Sequence, residues 1–506
     1  MTSINSAHHM ASLALSGLDK SSNVMQQAME RLSSGKRINR SADDAAGMGI
    51  SLVHKAQTMG LGGAVKHAVD AIGVVNSIEG SLATANDLLL RMRELAVQAS
   101  SDVNVKAERK SIQDEVNQIN SALNALASET KFNNKKLLDG TYNAKITIGK
   151  DAQEFVNLSV NPMDASSVGS HEINSKVEII NPPSNDHENA KNTLNSQFSA
   201  DADYEVKGAN GSATINMNGG EDARDVARAF NLATGATGVA ASAVTRLKIV
   251  NVTESDHFSF TLQGREKNAS VVTASIADKD DLTTLKNSIN SVSSDTGIVA
   301  DLVNNKSSIL LVQSEGYDII IGDLTTVSGN MTVDAVEKNI SGKLIDQNNQ
   351  RVLNGNGSGS DSVSIVGQVT LSSSKAFSIT SGHADNHFNT STEAMISDFV
   401  SLDNIDLSTQ ETASMAMARL DSAIAMISEM RSEMGAKSVR FQSIINNLTN
   451  VEINTERHMD FLEDAEFTTE SSKLARSQVV QEASTAMIAQ ANNVSKFMMS
   501  FLNQFK

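Results

Sequence analysis

Residues 61–99 read LGGAVKHAVDAIGVVNSIEGSLATANDLLLRMRELAVQA. In this stretch Leu61, Ala64, Ala68, Ala71, Val75, Ile78, Leu82, Ala85, Leu89, Met92, Ala96 and Ala99 follow one another at unbroken steps of three and four. Such steps trace one face of an α-helix. At about 1.5 Å per residue the helix is roughly 60 Å long, and a stripe this narrow reads as a coiled-coil seam. Before it, Ile4, Ala11, Leu18, Met25 and Leu32 recur every seven residues, with Ala7, Ala14 and Ala28 beside them. After it, Ile112, Val116, Ile119, Leu123 and Leu126 mark a third helix.

The other end of the chain carries the same pattern. Ser408-Thr409-Gln410-Glu411 reads as a capping box opening a helix. Leu420, Ile424, Ile427, Met434, Phe441, Ile445 and Leu448 then form a seam, interrupted by Arg431 and Ser438. Finally Val480, Met487, Val494 and Phe501 repeat every seven, flanked by Ala491, Met498 and Phe505. The Ile4–Leu32 seam is expected to pair with this last one. Both are thin, so the ends are expected to lack fixed structure in a lone chain and to order on assembly.

Between the ends the period changes from helical to alternating. Lys145–Ile148 and Phe155–Val160 read as a β-hairpin. Residues 171–405 are rich in Ser, Thr, Asn, Gly and Asp, with short strands at Ser308–Gln313 and Tyr317–Ile321 and a flexible loop at Asn354–Ser360. An internal repeat lies here. Asp222, Val226, Phe230, Thr237, Gly238 and Ala241 match Asp281, Leu285, Ile289, Thr296, Gly297 and Ala300, each pair offset by 59. The copies, 222–250 and 281–312, read as a short helix, a Thr-Gly turn and strands.

Composition narrows the function. With 506 residues, 40% hydrophobic, 4% aromatic and no Trp, the chain suits thin bundles built on small side chains. A net charge of −17 without a Lys/Arg stripe argues against nucleic acid. The absence of Cys removes thiolate catalysis, disulfides and Cys-ligated zinc. No Lys or Arg precedes Lys20 and no apolar h-region follows, so no cleaved signal peptide is expected. No apolar run of about 18 residues suggests membrane insertion.

Residues 31–51, RLSSGKRINRSADDAAGMGIS, closely resemble the N-terminal signature of bacterial flagellins. LRMRELAVQA at 90–99, IINNL at 444–448, FLEDAEF at 461–467 and AQAN at 489–492 resemble further flagellin motifs in the same order. Two departures are Phe132-Asn133-Asn134, where flagellins commonly read FNG, and the aromatic ending MMSFLNQFK. The resemblance implies an α+β fold: a long coiled-coil-like helical bundle from both termini, with β-rich middle domains inserted. It implies an inner-core domain from residues 1–43 and 466–506, an outer-core domain from 44–170 and 406–465, and exposed middle domains at 171–405. It also implies an extracellular filament subunit, a homopolymer with itself that meets a flagellar export chaperone and a cap protein.

The candidate polymerisation seam is therefore Ile4, Ala11, Leu18, Met25, Leu32, Val480, Met487, Val494 and Phe501. Arg91, Leu95 and Glu115 match positions that flagellin-type chains present to a Toll-like innate immune receptor. The same residues also read as solvated subunit-contact charges beside a Leu on a helix flank. No cofactor, metal or catalytic residue is expected. Asp43-Asp44 reads as helix-terminal charge, and Gly60–Gly63 as a helix irregularity rather than a phosphate loop. His171-Glu172 and His187-Glu188 both lack the second His of a zinc-protease motif. The rival readings are a hook–filament junction protein and a filament-displayed adhesin.

Overall fold

The computed structural model describes residues 2–101, 104–149, 153–177, 179–180, 202–217, 221–265, 268–339, 343–347, 349–355, 360–381, 388 and 393–503. The helices in chain order are α1 (Thr2–Ser34), α2 (Ala45–Ala99), α3 (Lys106–Glu129), α4 (Ala223–Leu232), α5 (Thr234–Thr237), α6 (Thr283–Ser291), α7 (Ser293–Thr296), α8 (Gln410–Glu463) and α9 (Phe467–Asn503). Strands occupy the region between α3 and α8, so the fold is α+β with long helices at both ends. Two compact units divide it. The first holds residues 1–75, 144–158 and 437–506, and the second holds 76–143 and 159–436.

The decisive stripe is buried along its whole length: all twelve residues from Leu61 to Ala99 are 4% exposed or less. Asp44 caps α2, its carboxylate accepting the Gly47 N–H at 2.9 Å. The helix passes through Gly60–Gly63 without a break, correcting the expected irregularity. A Cβ at Gly62 would stand 3.1 Å from the Glu452 carboxylate, a close approach that favours the missing side chain.

In α8, Ala413, Leu420, Ile427, Met434, Phe441 and Leu448 are buried every seven residues, with Ala416, Ala423 and Met430 between them. Ile424 and Ile445 are only half-buried. The polar interruption Arg431 is matched by Glu79 on α2 at 2.8 Å. The cap differs from the expected one by a residue. Thr409 Oγ1 accepts the Thr412 N–H at 3.1 Å, and Thr412 Oγ1 accepts the Thr409 N–H at 3.2 Å. Glu411 is thereby released to pair with Arg246. Along α3 the stripe drifts, as an untwisted helix must, so Asn120 and Ala127 are buried and Leu126 only half-buried.

The hairpin of the first unit pairs Asn143–Thr147 with Phe155–Ser159. In the second unit Lys131–Phe132 and Lys135–Lys136 close a two-residue turn. Asn133 and Asn134 sit there at φ +47° and +64°. Both central residues of such a turn need positive φ, which Asn tolerates better than other non-glycine residues. Asn134 therefore does the conformational work of the glycine usual in flagellins.

The middle region is antiparallel. Its main sheet runs in the order 298–303, 308–313, 240–252, 368–373, 169–174, 398–401. The repeat is two copies of one module, and each begins earlier than expected, with a hairpin: 202–207 with 212–217, then 257–263 with 270–275. A helix follows (α4 or α6), then a short turn of helix ending at Gly238 or Gly297, at φ +76° and +70°, then a strand. The side chain of Asn231 clamps the backbone of Ala241 with two hydrogen bonds of 2.8 Å. Asn290 does the same to Ala300 at 2.9 and 2.7 Å, again 59 residues on. Val226 and Phe230 fill one apolar core, Leu285 and Ile289 another.

The main sheet is joined to α8 by a buried ion pair. Arg419 Nε donates to Glu172 Oε1 at 2.6 Å and Nη2 to Oε2 at 3.1 Å, with the side chains 5% and 2% exposed. Ser170 Oγ adds a hydrogen bond at 2.8 Å. Burial alone pushes the Glu172 carboxyl up. The Arg419 hydrogen bonds, the Lys338 and Arg419 charges and Ser170 outweigh that and hold it below the usual carboxylate range.

Two outcomes are expected. Arg419→Ala strands a buried carboxylate and should cost the second unit about 3–5 kcal/mol in denaturant unfolding. Because Glu172 is depressed in the folded chain, its contribution is present above the ordinary carboxylate pKa and is lost as pH falls through the folded value, so acid should erase most of the difference between native chain and variant. Asn134→Val, forcing a β-branched residue to positive φ, should cost about 1–2 kcal/mol in the same measurement, whereas Asn134→Gly should be tolerated.

Candidate functional site

The terminal helices form an antiparallel hairpin within the first unit. Gly35, at φ +72°, ends α1 and turns the chain alongside residues 462–465. The Ala465 N–H donates to the Gly35 carbonyl at 2.9 Å, and both Lys36 and Ser51 reach the Glu463 carboxylate. Farther along, Arg31 meets Glu470 at 3.2 Å, and Ser21 Oγ donates to the Ser477 carbonyl at 2.6 Å. Gly17 faces Ser484, whose hydroxyl would stand 3.4 Å from an added Cβ.

Small side chains make this close approach feasible. Ala14, Ser21 and Ala28 are buried on α1; Glu470, Ser477 and Ala491 are buried on α9. The expected seam lies beside this line rather than on it. Ala11, Leu18, Met25 and Leu32 are half-buried. Val480, Met487 and Val494 stand on the open side of α9, 42%, 53% and 39% exposed. Ile4 and Phe501 fall within α1 and α9, but their side chains lie outside the described residues. Within α1 and α9 the small-residue line gives each helix a partner.

The consequence is a large apolar surface. On α1, Met10, Leu13 and Leu15 are 50% exposed or more, and on α9 so are Phe497 and Met499. Sequence reading missed these, since they fall off the heptad line. Met10, Ala486, Met487, Gln490, Ala491 and Val494 line an open groove of about 400 Å³ between the two helices. An open groove lined largely by apolar side chains marks an interaction site rather than ordinary monomer surface.

In the second unit, Arg91 on α2 donates to Glu115 on α3 at 2.9 Å and to Glu94 at 2.6 Å. The Glu94 and Glu115 hydrogen bonds and charges raise the Arg91 pKa, so it is a permanent cation in an exposed network. Arg91 and Glu115 are about half exposed. Leu95 is not beside them on the surface: it is 1% exposed, packed in the core. The apolar residues that this stretch of α2 does show to solvent are Leu90 and Val97, 47% and 48% exposed. The turn after α2 is held by Arg109, whose guanidinium donates to the carbonyls of Ala99, Ser101 and Asn104 at 2.8–2.9 Å.

Among the described residues no group of three or more His, Asp or Glu is placed to hold a metal, and no helix is long and apolar enough to cross a membrane.

The family model of the bacterial flagellin N-terminal helical region matches residues 5–143, and that of the C-terminal helical region matches 417–502. A B-type flagellin of Pseudomonas aeruginosa is 30% identical over 491 residues, 96% of this chain and 96% of the relative. A flagellin of Salmonella typhimurium is 27% identical over 538 residues, 99% of this chain and 100% of the relative. The solved structure of FliC from Burkholderia pseudomallei is 15% identical and overlaps 73% of this chain and 99% of that one, with a TM-score of 0.29, too loose to carry an argument. Signature motifs at both ends, two apposed terminal helices and full-length identity to such relatives lead to one conclusion: the chain belongs to the bacterial flagellin family, as a structural subunit of the extracellular flagellar filament.

Proposed function

We propose that the filament is built through the terminal hairpin, with the line Val480, Met487, Val494 and Phe501 on α9 as the face covered by a second copy of the chain. The observation that carries this reading is the exposure of Val480, Met487 and Val494 in the single chain while the small-residue line beside them is buried. A head-to-tail contact of this face with a different surface of the next copy propagates as an open helix when its rotation does not close a ring. Ala11, Leu18, Met25 and Leu32, half-buried on α1, are proposed as the matching line of the other helix, with Ile4 continuing it in the sequence. The five segments 1–43, 44–170, 171–405, 406–465 and 466–506 correspond to successive layers from filament interior to surface and back. Burial by neighbours adds to the stability of the hairpin, because a subunit that binds only the folded ends drives their folding by mass action.

The role is structural rather than catalytic. Before assembly the exposed apolar face needs a cover, which suits an export chaperone bound to the C-terminal helices, and at the growing tip a cap protein receives the subunit. Arg91 and Glu115, with Leu90 and Val97 beside them, are the surface offered to a Toll-like receptor. Leu95 would act there through the packing of α2, not by contact.

Met487→Asp separates polymerisation from folding. At an exposed site it should change monomer unfolding by no more than about 0.5 kcal/mol. Electron microscopy of filament seeds incubated with the variant should nonetheless show no elongation; normal filaments would refute the proposed face. A full native chain that caps the seeds without extending them would favour the junction-protein reading. For the receptor, Arg91→Ala should lower cell-surface receptor activation by monomer about tenfold, the effect of losing roughly 1.4 kcal/mol of charged contact. Unchanged activation would remove that claim.

A further inference from the structure

The buried side of the main sheet holds more charge than its ion pairs use. Arg246, Lys338 and Arg419 converge there, their side chains 2%, 4% and 5% exposed, on the carboxylates of Glu172 and Glu411, 2% and 11% exposed. One positive charge is left in excess. Glu172 is taken up by Arg419, and Glu411 by Arg246. The Lys338 ammonium has three N–H donors, and Glu172, at 3.8 Å, engages at most one of them. Arg246 Nη2 faces the Met415 sulfur at 3.1 Å, a weak acceptor. Both cations line a cavity of about 20 Å³, together with Glu172, Ser242, Gln368 and Met415.

We propose that this cavity binds a single monatomic anion, chloride, between the Lys338 ammonium and the Arg246 guanidinium. The volume suits one small sphere: it admits a species about the size of one water and leaves no room for phosphate, sulfate or a carboxylate. A water fits but carries no charge, and an uncompensated buried cation is costly. The anion completes the polar layer joining the sheet to α8. Burial, and repulsion from Arg419 and Arg246, lower the Lys338 pKa to about 8 against the opposing pull of Glu172. Lys338 is charged below that point, so chloride affinity is present there and falls about tenfold per pH unit above it. The charged groups around the site are Glu172, Arg246, Arg419 and Glu411, with Asp406 lining a second small cavity against Lys338.

The test is chlorine-35 NMR of the full-length monomer at pH 7 and constant ionic strength, sodium gluconate replacing sodium chloride. The native chain should broaden the chloride line, bromide should reverse the broadening saturably, and Lys338→Met should abolish it. Broadening equal in native chain and K338M would overturn the site. If K338M fails to fold, the native chain decides alone: broadening that is absent, or that bromide does not displace, overturns the proposal, and displaceable broadening that disappears above pH 9 sustains it.

Discussion

A stripe two side chains wide has to be covered along its whole length, and that requirement sets the rest of the structure. Neither α2, about 80 Å long at 1.5 Å per residue, nor α8 can shield its own apolar line, because each shows it on one side only. The antiparallel matches Leu61 with Leu448, Glu79 with Arg431 and Arg93 with Asp421 follow from laying one heptad line on another. Ala, Val, Leu and Met suffice for this, which is why aromatics are scarce where the helices are and appear where the sheet cores need bulk. Phe230, Phe258 and Phe260 fill the middle region.

The same rule applied to α1 and α9 gives a different result because the lines are different. Ala and Ser let the two backbones approach, and a close pair of thin helices leaves its larger apolar residues at the sides. The hairpin is thus held by geometry and a few polar contacts such as Arg31 with Glu470, while its hydrophobic surface is kept for other contacts.

Periodicity made the long helices legible, since a step of three or four is written directly in the residue order. Which line faced the chain's own partner was not legible at α9. Val480, Met487 and Val494 look like the core line by hydropathy, yet Ser477 and Ala491 occupy it, because fit at short range favours the smaller residue. Leu95 fell to the same difficulty: matching a motif position said nothing of whether the side chain points in or out. The repeat was visible in six residue pairs, but its opening hairpins differ in loop length and so hid from a fixed offset. The pairing of Glu172 with Arg419 across 247 residues, and the convergence of Arg246 and Lys338 upon them, left no local signal at all. Such contacts arise from the sheet order, which no spacing in the chain encodes.

The asparagine clamps have a consequence for how the exposed region can change. Asn231 and Asn290 each close a loop of ten residues within their own copy and owe nothing to the other. A module fastened internally is a cassette. The clamp keeps each copy's own loop closed, while the pairing of 308–313 with 240–252 ties the two copies into one sheet. Filament surfaces can therefore be varied most freely in the second copy, because the first is anchored to α8 through Arg246 and Glu411.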